Sequence, residues 1–148
     1  MSSITPRDQT RNQISFDVDT SKVFVFGNEY ISVDFLNNTG GVYSPLEGTV
    51  VGRVTATGKV VPCQKGVSDG SQVPFGILKG SPGELADADE LKMNVCVKGE
   101  VVEAKVIVYD EADDLDTDWN GRQLRDRING DTVGILLVGS DELSKFNN

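Results

Sequence analysis

The chain of 148 residues is long enough for one domain, or one domain plus an arm, and for a self-sufficient core. With 38% hydrophobic residues, only 7% aromatics, sixteen glycines and a weighting towards valine, it suits many short strands joined by tight turns. The net charge of −9 resides in one segment, since residues 84–118 hold twelve acidic side chains against three lysines and the remainder is neutral. An acidic chain without a basic patch is repelled by phosphate backbones, so no nucleic acid is expected as a partner.

No apolar run approaches the ~20 residues of a membrane span, so no membrane is expected either. Residues 1–12 are polar and lack the apolar stretch of a secretory signal, which makes the cytoplasm the expected place of synthesis. Cys63 and Cys96 fall in strand-like contexts without CxxC spacing. Free, partly buried thiols are expected there in preference to a disulfide.

In chain order, residues 1–13 carry one apolar residue beyond the initiating methionine, Ile4, and are predicted to form a flexible arm. Ile14, Phe16 and Val18 alternate with Ser15 and Asp17, a period-two strand signal. A short apolar run, Val23 to Phe26, precedes a turn at Gly27-Asn28, and Ile31, Val33 and Phe35 then alternate with polar residues. After a turn cluster at 37–41, residues 49–55 form a strand, Thr57-Gly58 a turn, and Lys59-Val60-Val61 a second strand. Pro62 confines that strand to an edge or an end, because it cannot donate a ladder hydrogen bond. Residues 68–71 form a loop, and Phe75 and Ile77 follow on one face of the next strand.

Leu91, Met93, Val95 and Val97 alternate with Lys92, Asn94, Cys96 and Lys98, as in an antiparallel strand with one wetted face. Gly99 is expected to end that strand, and Val102, Ala104, Val106 and Val108 to share a face of another. One helix is predicted over 122–128, capped by Asn120, stopped at Asn129-Gly130 and carrying an apolar stripe of Leu124 and Ile128. Residues 132–138 form the last strand. The reading is mainly β: a small β-barrel or sandwich-like domain of short antiparallel strands, with one short helix near the C-terminus and an N-terminal arm. Its divisions are an arm at 1–13, N-terminal strands at 14–43, a β domain at 44–142 and a tail at 143–148.

Candidate chemistry is sparse. The absence of histidine removes Ser-His-Asp and Cys-His nucleophile pairs and the commonest zinc ligand, and no P-loop or GxGxxG sequence occurs. Carboxylates abound at 110–118, but a catalytic pair needs one member desolvated beside an apolar wall, and a solvated acidic loop is the stronger reading. Asp116, Asp118 and Asn120, followed by Gly121, match the opening of a calcium loop. The bidentate glutamate due at the twelfth position is replaced by Arg127, so the motif is half complete. Acids favoured by a helix N-terminus explain the same residues. Leu91-Lys92-Met93 faintly resembles the modified-lysine site of biotinyl carrier domains, but Lys92 lies within a strand alternation and reads as a lysine on its wet face. Neither cofactor nor metal is expected, and no catalytic residue. Trp119 reads as a plug holding the helix onto the sheet in preference to a partner anchor.

The stretch 46–78 is more specific. Leu46-Glu-Gly-Thr-Val-Val-Gly-Arg-Val-Thr-Ala-Thr-Gly-Lys59 is followed by Ser68-Asp-Gly-Ser-Gln-Val-Pro-Phe-Gly-Ile-Leu78. This resembles the bacteriophage head decoration protein family, in which a strand pair reading G-T-V-x-G-x-x-T-x-T-G-K leads to a D-G-S-Q loop and a G-I-L strand. Met93-Asn-Val-Cys-Val-Lys-Gly-Glu-Val101, Arg122 to Ile128 and Gly134-Ile-Leu-Leu137 resemble its later elements, so the likeness spans roughly residues 44–142. The residue types suit the fold independently. Gly48, Gly58 and Gly70, the last beside Asp69, fall where tight corners need positive φ. Gly52 and Gly76 lie inside strands, where they mark a bulge or a close backbone approach.

The resemblance implies a non-enzymatic capsid cement protein. Such a protein assembles as a homotrimer and binds the major capsid protein on the outer surface of the expanded head at threefold or pseudo-threefold positions. There it stabilises the shell against internal DNA pressure. Ile14, Phe16 and Val18 are the expected capsid-binding segment, with the preceding arm ordering on the shell. The alternative is another phage virion β-module, such as a tail or baseplate adhesin or a spike domain.

Overall fold

The computed structural model describes residues 22–139. Its strands are β1 (Phe24–Leu36), β2 (Val50–Arg53), β3 (Val60–Pro62), β4 (Pro74–Lys79), β5 (Glu90–Val102), β6 (Asp118–Trp119), β7 (Arg122–Gln123) and β8 (Gly134–Val138), with one helix, α1 (Leu124–Asp131). The first five pair in the order β1-β3-β2-β4-β5, and β1 pairs again with β5, so the sheet closes on itself. Closure is antiparallel throughout except where β1 meets β3 at Phe35↔Val60. β8 then runs parallel to the second half of β5, over Lys98–Val102, beyond the point where β4 stops.

Each barrel strand sends apolar residues to the interior: Phe35, Val51, Val60, Leu78, Met93 and Val95 form one buried cluster. A second cluster lies against the outside of the same wall. There Val50, Ile77, Cys96 and Val101 meet Trp119, Leu124, Ile128 and Ile135 from the hairpin β6–β7, α1 and β8. Cys96 thus faces an outer layer at the position where the alternation predicts a wetted face, and it is fully buried. Its neighbours Lys92, Asn94 and Lys98 are exposed as expected. Fully burying each such aliphatic or aromatic side chain contributes roughly 1.5–3 kcal/mol, so the two clusters together carry the fold. Burial of Phe35, Met93 and Val95 sets the register of β1 on β5, and exposed ion pairs accompany it: Lys92 Nζ lies 3.0 Å from Asp34 Oδ1, and Lys98 Nζ 3.7 Å from Glu29 Oε2.

Several local expectations are corrected. Gly27-Asn28 does not separate two strands; β1 runs through it with register shifts between Phe24 and Tyr30, a bulged strand in place of a turn. Gly99 likewise does not end a strand. β5 continues to Val102 with Gly99 at φ +116°, and an added Cβ there would lie 2.6 Å from Asn28 Cα. The two irregularities face each other, and close approach of the chains is what requires glycine. Past Val102 a single 3-10 turn, Glu103–Lys105, replaces the predicted strand, leaving only a bridge from Ile107 to Thr49.

Phe75 and Ile77 do not share a face. The β2–β4 register shifts beside Gly52, so Phe75 packs towards the interior cluster while Ile77 packs outside. Asn120 is no helix cap. It occupies a left-handed conformation with Gly121 (φ +57° and +99°) at the tip of the β6–β7 hairpin, the geometry that Asn-Gly favours in two-residue turns. The helix begins two residues later than predicted and passes through Gly130 to Asp131.

Candidate binding surfaces

Residues 22 and 23 connect the N-terminal segment to the barrel. Val23 is 8% exposed, and its carbonyl accepts a hydrogen bond from the Val102 backbone N–H at 2.9 Å. Beyond it, among the described residues, no strand pairs with the outer edge of β1 until Phe35 meets β3. The outer edge of β8 is also unpaired by any described strand. The register places Phe26 opposite Glu100 and Glu100 opposite Leu136, so two apolar side chains flank one carboxylate. Phe26 is 72% exposed and Leu136 51%, which makes this three-strand face an open apolar patch. Elsewhere on β1, Phe24 and Tyr30 meet edge-on at 5.5 Å, and the Lys79 ammonium lies 5.3 and 4.9 Å from their ring centroids.

A groove of about 660 Å³ opens between the loop at 43–46 and the segment 107–111. Backbone bonds tie one wall to β2 and the residues before it, and the other to the loop between β4 and β5. The Ile107 carbonyl accepts from Val50 N–H at 2.9 Å, Ile107 N–H donates to the Gly48 carbonyl at 2.8 Å, and Tyr43 exchanges bonds of 3.1 and 2.9 Å with Leu85. Tyr43 and Tyr109 pack edge-to-face at 5.2 Å. Burial raises the Tyr43 phenol above its ordinary pKa, so it is a neutral ring and hydroxyl at physiological pH. Asp110 and Glu111 lie at the lining's acidic end, and no lysine or arginine lines the groove.

The residues singled out from sequence fall as follows. Ile14, Phe16 and Val18 lie outside the described residues. Gly48, Gly58 and Gly70 have φ of +103°, +73° and +104°. Asp69 Oδ1 accepts from the Ser71 N–H at 2.9 Å and the Ser71 hydroxyl at 2.6 Å, closing the loop that Gly70 turns. These bonds hold the Asp69 carboxyl below the ordinary aspartate range. Gly76 faces the Val95 side chain and the Cys96 carbonyl. Asp116 Oδ1 is taken by Arg125 Nε at 2.9 Å, Asp118 is exposed, and the Asn120 carbonyl accepts from Arg127. Among the described residues no three acidic or cysteine side chains converge on a common point that could hold a metal ion.

Trp119 is 1% exposed and donates its indole N–H to the Gln72 carbonyl at 2.7 Å, so it is the plug between helix and barrel. Both cysteines are free and buried, and burial pushes the Cys63 thiol up to about 12. The groove and the Phe26–Leu136 patch escape sequence reasoning because their residues are far apart in the chain. The faint signal for the groove was Leu46, an apolar residue between Pro45 and Glu47.

What the described surface presents is shape: two strand edges, an apolar patch and an acidic-ended groove on a barrel packed to its centre. Each of these is a surface on which another chain could pair or pack. Comparison with known families supplies the class, for residues 27–126 match the family described as Bacteriophage lambda head decoration protein D. The match covers two thirds of the chain, and the protein belongs to the bacteriophage head decoration family. It begins within β1 and ends within α1, so β1 is part of the matched unit. Membership makes it a structural protein of the phage head, located at the capsid surface. Comparison with curated proteins finds no match for the chain.

Proposed function

We propose that the protein is a cement: it binds the outer surface of the expanded head, as trimers at threefold or pseudo-threefold positions, and holds neighbouring capsomers together against internal DNA pressure. The family match over residues 27–126 carries this reading. Its direct partner is the major capsid protein, and each weak contact is multiplied by copy number, so that avidity supplies the stabilisation. Ile14, Phe16 and Val18 are the gripping residues. They lie six to ten residues before β1, whose outer edge is paired by no described strand until Phe35, and a segment with strand-like alternation near such an edge suits recognition by strand addition. The open patch of Phe26 and Leu136 supports self-association.

The test uses heads prepared without this protein. Added protein should sediment with expanded heads and raise the temperature at which DNA-filled heads burst; recovery on tails alone would overturn the reading in favour of an adhesin or spike module. Deleting residues 1–18 stops short of the buried Val23 and should leave melting unchanged while abolishing head binding. Retained binding would remove the role given to Ile14, Phe16 and Val18.

A further inference from the structure

We propose that the groove between residues 43–46 and 107–111 is a second docking site, and that it takes a segment of the shell protein carrying an arginine or lysine beside an aliphatic side chain. The inference rests on the cement reading for the identity of the partner, and on the groove itself for the chemistry. Leu46 stands 51% exposed on one wall, and Val42, next to the same loop, is 66% exposed. Exposed aliphatic side chains beside a concave surface favour an apolar group that covers them. The opposite wall ends in Asp110 and Glu111.

Some of the acids near the groove already have cations. Asp113 is paired with Lys65, while Glu103 and Asp116 share Arg125. No cation lies within ion-pair distance of Asp110 or Glu111 among the described residues, and none lines the groove. Asp110 and Glu111 thus border the groove without a cation of their own, while Asp114 and Asp118, also unpaired among the described residues, lie away from its lining. A cation delivered with an aliphatic neighbour satisfies both halves of the groove.

Rigidity favours docking over fortuitous shape. Both walls are fixed by backbone bonds to β2 and to Leu85, so a ligand need not order them on binding. A second site on the barrel would also make the interaction bidentate, with the N-terminal segment and the groove engaging at once.

The experiment measures binding to expanded heads that lack the protein, for the wild type, Leu46→Asp, the double variant Asp110→Lys/Glu111→Lys, and a control double variant Glu84→Lys/Asp87→Lys of equal charge change. Leu46→Asp and the groove double variant should each weaken binding by roughly tenfold or more. The control should stay within about twofold. Wild-type binding should also weaken between about 0.05 and about 0.5 M salt, and the groove double variant should lose that dependence. If wild type binds and both groove variants bind as tightly, the groove is not a docking site. Equal loss in the control overturns the local assignment in favour of overall charge. Loss of self-association in the free groove variants, read by sedimentation equilibrium, overturns the shell as occupant in favour of a second copy. Failure of the wild type itself to bind heads rejects the cement reading, and this assignment falls with it.

Discussion

At Gly52 a single methyl group would meet backbone: an added Cβ would lie 2.7 Å from Ser71 Cα and 2.6 Å from its carbonyl carbon. Backbone cannot rotate away as a side chain can, so Gly52→Ala is expected to lose at least about 1–3 kcal/mol, read as a lower midpoint in urea at unchanged slope. The other side of that contact is the loop closed by Asp69. Its pKa is depressed chiefly by the side-chain and then the backbone hydrogen bond from Ser71, so the folded state prefers the anion. The resulting stability is present above the ordinary aspartate value of 3.8 and is lost as pH falls through the lowered one. Asp69→Ala should therefore be less stable than wild type near neutral pH by a fraction of a kcal/mol, since the exposed carboxylate is screened by solvent, with the difference shrinking below about pH 4 in thermal melts. Cys63 works in the opposite sense. Its thiol is pushed from 9.0 to about 12 by desolvation, so the stability from keeping it neutral is intact below 9 and lost as pH rises above it. Alkylation of Cys63 at pH 8 should track the unfolded fraction across a denaturant titration; rapid labelling of native protein would contradict the burial. Thiol burial was partly legible from sequence, as cysteines inside apolar alternations. The depth of Cys96 was not, because nothing in the local pattern announces an outer layer of helix and hairpin.

Among the elements, the strands with clean alternation were legible and the irregular ones were not. Residues 91–98 read correctly because side chains alternate strictly there. The continuation through Gly99 was missed because a glycine at positive φ signals a turn locally, whereas here it accommodates the facing bulge of β1. Asn120-Gly121 carries two legitimate meanings, a helix start and a hairpin tip. The deciding fact is the pairing Trp119↔Arg122, which only the folded chain displays. Arg127 then holds the hairpin by donating to the carbonyls of Trp119 and Asn120. The hairpin and α1 together seat Trp119, whose ring is the largest fully buried side chain of the outer layer. Trp119→Ala should destabilise by about 3–5 kcal/mol and leave the Gln72 carbonyl with only the weaker Cys63 thiol as donor, measured by far-ultraviolet circular dichroism in urea. Trp119→Phe should recover part of the packing but not the hydrogen bond. Equal stability of the two variants would mean that packing contributes nothing there.

For the whole molecule, the barrel and its late helix followed from periodicity and turn chemistry, while the surfaces that contact other chains did not. Leu46 and Tyr109 meet across a groove only because Thr49 and Ile107 form a bridge between distant segments. Phe26 and Leu136 become neighbours only through the register of two strands on β5. Replacing both with serine should leave thermal stability within about 0.5 kcal/mol, since neither is buried, and should reduce self-association in sedimentation equilibrium. Unchanged association would place the contact on another face. The closure of β1 on β5 has a further consequence, one of timing. The barrel's first strand finds its partner only after four others have been made, and β8 completes the outer layer later still. Such non-local pairing is slow to form, on the scale of ~ms to s for small β proteins. During synthesis the Phe35 interior therefore stays unsealed until Val102 has left the ribosome, and an incomplete chain has no finished surface to offer a partner. Subunit maturation must precede assembly, so a truncated product ending before β5 should be degraded instead of incorporated.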